Sequence, residues 1–235
     1  MGNLSKYQYL LFDLDDNLMD FQASERYALS ELLKVTGIGD TKEARDSYHR
    51  YNRAMWEALE RGYISREYLF ARRFAAFAKR KYDIDIDDVH ELNEEYQEWL
   101  GSGHELMPQA KEVLEALKQK GYHMIVVTNG AAKAQNRRLK DSGLDQYFEK
   151  VFISEEVGYQ KPQKEFFDYV FQNSDATPEN SLVLGDSLSS DIQGANNAGI
   201  DSVWYNPSWK VNHTSARPTY AIKSWDRLLD FLENN

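Results

Sequence analysis

From Pro108 onward the chain alternates short β-rich runs with amphipathic helices, and no other feature restricts the fold as much. Gln109–Lys120 reads as a helix stopped by Gly121, and His123–Val127 as a β-branched strand running into Thr128-Asn129-Gly130. The series continues with a helix over Ala131–Ser142 ended by Gly143, a strand over Val151–Ser154 and a helix over Lys164–Gln172. A strand over Ser181–Leu184, a helix over Leu188–Ala198 closed by Gly199, a strand over Asp201–Tyr205 and a helix over Trp225–Glu233 complete it. Such alternation calls for parallel strands joined by crossover helices, so the fold class is α/β, a doubly wound Rossmann-like parallel sheet. An apolar run at Tyr7–Phe12 supplies one more strand to that sheet and stops abruptly at Asp13-Leu14-Asp15.

Between that first strand and Pro108 the pattern is helical throughout. Gln22–Val35 stops at Gly37, Lys42–Arg61 stops at Gly62, Ser65–Tyr82 opens with Ser65 in a cap position, and Asp87–Leu100 precedes Gly101 and Gly103. Helices with short connections and no strand between them fit a small antiparallel bundle. The expected organisation is a Rossmann-like core over residues 1–19 and 106–235, with an inserted small α-helical bundle, a cap domain, over residues 20–105.

Composition excludes several function classes. There is no cysteine, which removes disulfides, thiolate catalysis and Cys-based zinc sites. A formal net charge of −10 opposes general binding to nucleic acid or anionic membrane. An anionic substrate would therefore need local positive charge from a metal ion and a few Lys or Arg. No apolar stretch approaches the ~20 residues that span a bilayer, and the N-terminus lacks a signal-peptide pattern. The plain expectation is a cytoplasmic enzyme.

Ligands of open α/β sheets bind in the crevice at the carboxyl ends of the strands. The chemical residues of this chain fall there. Asp13 and Asp15 end the first strand, Thr128 and Asn129 a second, and Asp186 and Ser187 a third, with Lys161 in the loop Gly158–Pro162 and Asp191 five residues after Asp186. Each has an ordinary reading alone: Asp and Asn make turns, a loop lysine is usually solvated, and a carboxylate near a helix N-terminus complements its dipole. Coincidence on one sheet edge argues for a single shared site. Two carboxylates two residues apart repel unless a cation lies between them or one is protonated. Hard oxygen ligands suit Mg²⁺, while a lysine and a threonine hydroxyl with neighbouring N–H groups suit phosphate oxygens. A second carboxylate beside a carboxylate nucleophile can serve as general acid and then general base. The set asks for phosphoryl transfer through an aspartyl-phosphate.

The segments Asp13-Leu14-Asp15-Asp16-Asn17-Leu18, Thr128-Asn129-Gly130, Lys161-Pro162 and Gly185-Asp186-Ser187-Leu188-Ser189-Ser190-Asp191, in that order, resemble the haloacid dehalogenase superfamily of phosphohydrolases. The resemblance covers nearly the whole chain, and the helical insertion is similar to the family's four-helix cap. It implies Asp13 as the nucleophile and Asp15 as the acid and base. It implies Mg²⁺ held by Asp13, Asp186 and the main-chain carbonyl of Asp15, with Thr128, Asn129 and Lys161 on the phosphoryl group. Asp191, with Ser187 beside it, would orient Lys161 or a metal-bound water. Asn17 stands where the family usually has threonine, a departure a turn-forming Asn can accommodate.

Several branches of the superfamily are separable. Dehalogenases lack the second Asp, so Asp15 argues against that branch. Phosphonate hydrolysis needs a cap lysine, for which Lys34 and Lys42 are candidates that nothing singles out. Sugar-phosphate phosphatase or phosphomutase activity stays open. Ile153–Gly158, Lys161-Pro162, Phe166–Tyr169, Asn52–Trp56 and Arg73-Phe74 are similar to the pyrimidine nucleoside 5′-monophosphate phosphatases, which implies a small phosphorylated metabolite as partner and a monomer or homodimer. Phe21, Asn52, Trp56 and Arg73 are candidate substrate contacts from the linker and cap. Most aromatics among Trp56, Tyr63, Tyr68, Phe70, Phe74 and Phe77 are expected in the bundle core.

Two readings from other classes compete. Gly185-Asp186-Ser187-Leu188 also spells a serine esterase signature, but that family places it early and pairs it with a late Asp-x-x-His, whereas here His213 has Lys210 three residues before it. A phosphoryl-accepting signalling module uses similar strand-end residues but no Asp15-like acid and no inserted bundle. A noncatalytic binder on the same fold is the remaining alternative.

Overall fold

The computed structural model describes residues 6–234. Its sheet has six parallel strands: β1 (Tyr9–Phe12), β2 (His123–Thr128), β3 (Lys150–Ile153), β4 (Ser181–Gly185), β5 (Asp201–Tyr205) and β6 (Tyr220–Ile222), in the order β3-β2-β1-β4-β5-β6. Phe12 lies opposite both Val126 and Leu184. The strand order reverses direction at β1, so the crevice that such sheets use for ligands opens at the carboxyl ends of β1 and β4.

Alternate side chains along each strand feed opposite cores. Leu10, Phe12, Met124, Val126, Leu182 and Leu184 pack on one face with α5 (Ala110–Gln119) and with Leu228 and Leu232 of α10 (Asp226–Glu233). Leu11, Ile125, Val127 and Val183 pack on the other with α8 (Lys164–Gln172) and with Ala195 of α9 (Gln193–Ala198). Burial on both faces is why these strands read as continuous apolar runs rather than alternating ones.

Three details differ from the sequence reading. β6 adds an edge strand; at three residues it is too short for any periodicity to announce it. Ser154 does not end β3 but starts a four-residue helix, α7 (Ser154–Val157). The helix expected over Leu188–Ala198 is broken: Leu188–Ile192 forms a wide π turn, in which Ile192 N–H donates to Ser187 O at 3.1 Å, before α9 begins. Single π turns inside helices commonly mark functional positions.

The chain divides into two compact units, one running through Phe21 and resuming at His104, the other Gln22–Gly103. Within the second lie α2 (Lys42–Glu60), α3 (Arg66–Tyr82) and α4 (Val89–Ser102), together with all but the first residue of α1 (Phe21–Val35). Thr41, Ser65 and Asp88 cap α2, α3 and α4 by accepting from Ala44, Tyr68 and Glu91 N–H at 3.1, 3.2 and 2.8 Å. Tyr48, Phe74, Phe77 and Tyr96 are buried in its core, with Tyr48 and Phe74 stacked and Phe74 tilted against Tyr96. The expectation that most of the six aromatics are core fails: Phe74 and Phe77 are buried, Trp56 and Phe70 are half-buried, and Tyr63, in the α2–α3 connection, and Tyr68, in the first turn of α3, are 76% and 51% exposed.

Candidate active site

Asp13 follows the last residue of β1, and its N–H donates to Leu184 O at 2.9 Å, continuing the ladder to β4. That pairing fixes its side chain in the crevice. Asn17, fully buried, holds the two strand ends together by donating from Nδ2 to Asp13 O and Leu184 O at 2.9 and 3.0 Å. Asn therefore fills the unusual position with a structural bond of its own. Between them, Asp16 turns through the left-handed region at φ 53°, which Asp tolerates better than most residues.

Lys161 enters from the loop before α8, its peptide to Pro162 cis. It is 1% exposed, far from a solvated loop lysine. Its ammonium donates to Asp13 Oδ1 at 2.7 Å, Asp191 Oδ1 at 2.6 Å and Val127 O at 2.7 Å. Three protons meet three acceptors, so the head group is saturated and fixed. Asn129 anchors the lysine's main chain reciprocally, donating to Lys161 O at 2.8 Å and accepting from Lys161 N–H at 3.0 Å. Its side chain is thereby engaged in holding the loop.

Asp191 is completely buried. The π turn brings its carboxylate back under Ser187, whose N–H donates to Oδ2 at 3.0 Å, while Oδ1 takes the Lys161 proton. A Cβ at Gly185 would sit 2.3 Å from Asp191 Cγ, so only glycine leaves room for this carboxylate. Asp186 follows Gly185, and Trp204 Nε1–H donates to its carbonyl at 2.8 Å, orienting the main chain. Among the described residues, Asp13, Asp186 and Asp191 bring carboxylate oxygens within 4.8 Å of one another.

Crowding of this kind shifts titration. Burial pushes the Asp13 carboxyl up to about 8; Lys161 opposes the shift, and Asp191 and Asp15 add to it. Burial, with Asp191, Asp13 and Asp16 nearby, also holds Asp186 well above the carboxylate range. Burial works against the Lys161 ammonium, but Asp13 and Asp191 outweigh it and raise its pKa.

Asp15 is held by residues of a different element. Its Oδ1 is ion-paired with Arg138 and its Oδ2 accepts from Gln135 Nε2 at 2.8 Å. Thr128, 1% exposed, accepts at Oγ1 from Gln135 Nε2 at 3.0 Å and from Gly130 N–H at 3.1 Å. Gln135 and Arg138 belong to α6 (Ala132–Ser142), and sequence reasoning passed over both. Their signal was faint: two polar residues three apart, on the same helix face as Ala134 and Leu139, just after Thr128-Asn129-Gly130.

The remaining sequence candidates are placed individually. Phe21 opens α1, half-buried, with the Arg138 guanidinium 5.8 Å above its ring. In the helical unit, Asn52 is buried and donates to Glu25 Oε1 at 3.3 Å. Arg73 is 3% exposed, set against Phe70, Phe74 and Tyr96 and donating to Asn93 Oδ1 at 3.1 Å. Trp56 is half-buried with Arg66 over it. Lys34 and Lys42 lie in surface ion pairs with Glu31 and Asp46.

Residues 10–205 match the model of the haloacid dehalogenase-like hydrolases. The chain belongs to that family. It is 42% identical to the pyrimidine 5′-nucleotidase PynA of Streptococcus pneumoniae, over 97% of this chain and 96% of that protein. It is 30% identical to the pyrimidine 5′-nucleotidase YjjG of Escherichia coli, over 97% and 98%. A crystal structure of the HAD-hydrolase YfnB of Bacillus subtilis bound to magnesium superposes with a TM-score of 0.89 at 38% identity, covering 96% of this chain and 98% of that one. This family member is a hydrolase of the phosphatase kind. No helix among the described residues is long and apolar enough to cross a membrane.

Proposed function

We propose that this protein is a Mg²⁺-dependent 5′-nucleotidase that hydrolyses pyrimidine nucleoside 5′-monophosphates through an aspartyl-phosphate on Asp13. The observation that carries the chemistry is the Asp13 carboxylate, pinned at one oxygen by Lys161 in a buried acidic crevice with Asp15 two residues away. The substrate class draws its support from full-length similarity to PynA and YjjG.

The donor set fits a hard divalent ion. Asp191 has both oxygens committed to Lys161 and Ser187, whereas no hydrogen bond or ion pair among the described residues engages the Asp186 carboxylate. Asp13, Asp186 and the Asp15 main-chain carbonyl are thus the ligands we assign to Mg²⁺, with Asp191 positioning Lys161. When bound, the ion neutralises the crowded carboxylates and lets a phosphate dianion approach them. That a similar chain, YfnB, has a structure bound to magnesium supports the choice of ion.

Hydrolysis then runs in two displacements. A carboxylate oxygen of Asp13 attacks phosphorus, and the bond to the nucleoside oxygen breaks as Asp15 gives that oxygen its proton. Water, losing its proton to Asp15, attacks the same phosphorus; the bond to Asp13 breaks, and inorganic phosphate leaves. Asp15 must enter the cycle protonated, trading its ion pair with Arg138 for the proton it delivers, and it leaves the cycle protonated again. Lys161 supplies positive charge to the equatorial oxygens, and Thr128 a hydroxyl proton.

Phosphate release tests the reading across pyrimidine and purine nucleoside monophosphates, sugar phosphates, pyrophosphate and phosphonoacetaldehyde, with Mg²⁺ and with EDTA. Highest kcat/KM for a pyrimidine monophosphate, abolished by EDTA, is expected. Preference for a sugar phosphate would overturn the substrate class, and full activity in EDTA would overturn the metal.

A further inference from the structure

We infer that Gln135, oriented by Arg138, is a positioning residue that sets the Thr128 hydroxyl as a phosphate donor while holding Asp15 in register. This rests on the reading of Thr128 as a phosphoryl-binding group and adds to it the device that gives its proton a direction.

The amide of Gln135 is 1% exposed and fully committed. Its Nε2 carries two protons, one going to Asp15 Oδ2 at 2.8 Å and one to Thr128 Oγ1 at 3.0 Å, and its Oε1 accepts from Arg138 Nη1 at 3.2 Å. The opposite amide orientation would set an oxygen against the Asp15 carboxylate and an NH₂ against the guanidinium, so only one orientation is tenable. Arg138 is itself buried and ion-paired to Asp15, which locks the arrangement.

The consequence falls on Thr128. A hydroxyl has one proton and two acceptor positions. Gln135 and the Gly130 N–H fill both acceptor positions, leaving the proton as the part Thr128 has to offer. An anionic oxygen is the partner such a hydroxyl serves. Gly130 makes the arrangement possible in a second way: a Cβ there would fall 2.1 Å from Gln135 Nε2, so any side chain would displace the amide.

Glu in place of Gln135 reverses the polarity. Its carboxylate would draw the Thr128 proton inward and repel Asp15. The test is a double-mutant cycle on inorganic phosphate binding, measured calorimetrically with Mg²⁺ for the whole protein: wild type, Gln135→Glu, Thr128→Val and the pair. Gln135→Glu is expected to weaken phosphate binding about tenfold or more, the scale of one hydrogen bond to a charged group, and to weaken it little further in the Thr128→Val background. Equal weakening in both backgrounds would mean that added charge alone is responsible and would overturn the inference, as would unchanged affinity in Gln135→Glu. If the Glu variant fails to fold, the same cycle with Gln135→Met decides, with the same two outcomes. Hydrolysis is read separately: a wild type that binds phosphate but cleaves no ester refutes the proposed function and leaves this inference to the cycle. A wild type that binds no phosphate refutes both.

Discussion

The Lys161 ammonium lies 2.7 Å from Asp13 Oδ1, and its other two protons go to Asp191 and the Val127 carbonyl. A lysine with no spare proton can reach a phosphoryl oxygen only by giving up one of these bonds. Under the proposed mechanism Asp13 is the partner that changes, since its carboxylate charge would be consumed on bonding to phosphorus. The same contact would then hold the proposed nucleophile at rest and be released when the phosphoryl group arrives.

Replacing Lys161 with Met should expose this dependence. It leaves three acidic groups in the crevice with no internal cation, and breaking a buried pair in this way costs about 3 kcal/mol or more. We expect kcat to fall at least ~10²-fold and the urea midpoint to drop, with Mg²⁺ recovering part of the stability. Unchanged stability in EDTA would contradict the pairing.

Gly185→Ala tests the room made for Asp191. Its Cβ would meet Asp191 Cγ at 2.3 Å, with a carboxylate that cannot leave without abandoning Lys161. Overpacking at such a point typically costs ~1–3 kcal/mol, and activity should fall with it. Wild-type kcat/KM in this variant would show that Asp191 is not needed where it stands.

Asn17 joins β1 to β4 through two donated hydrogen bonds. Asn17→Asp puts an acceptor-only group against two carbonyl oxygens and adds negative charge beside Asp13. Loss of both bonds, with repulsion against the two carbonyls and only the Asp13 N–H still given to Leu184 O, should destabilise by about 2–4 kcal/mol, readable as a lower midpoint of denaturant unfolding. Asn17→Ala should lose less, because no repulsion replaces the bonds.

The acidic cluster also gives stability a pH dependence of unusual sign. The folded Asp13 carboxyl titrates near 8, above its ordinary 3.8, so the folded state holds a proton that the unfolded state releases. Its contribution is present in full below about pH 4 and is lost as pH rises through 8. With EDTA present, Tm should fall between pH 4 and 8. Mg²⁺ should reverse the fall most strongly at the upper end, where binding displaces fewest protons. Asp13→Asn should flatten the profile. A Tm that rises steadily over this range in EDTA, in wild type and variant alike, would contradict it.

Much of this was legible before any coordinates, for physical reasons that differ by residue. β1 announced itself because a strand buried on both faces must be apolar throughout, and Asp13 because a charged residue closing such a run marks the strand's carboxyl end. Lys161 was legible as a motif, but its burial was not: nothing local in Gln160-Lys161-Pro162 indicates that distant Asp13 and Asp191 will enclose it. Gln135 and Arg138 were invisible for a related reason. On an amphipathic helix, polar residues read as solvent-facing, and only the tertiary meeting with Asp15 turns these two inward. The π turn at Leu188–Ile192 left no trace because its cause is the fit of Asp191 beneath Ser187, not the propensity of its residues.

The central claim is that Asp13 becomes covalently phosphorylated, and rapid acid quenching tests it most directly. Wild-type protein is mixed with ³²P-labelled pyrimidine nucleoside monophosphate and Mg²⁺, quenched within one turnover, and the labelled peptide is sequenced. The account predicts an acid-stable, alkali-labile phosphate on Asp13, absent from Asp13→Asn. Turnover without bound label across the full time course, or label on any other residue, would contradict it.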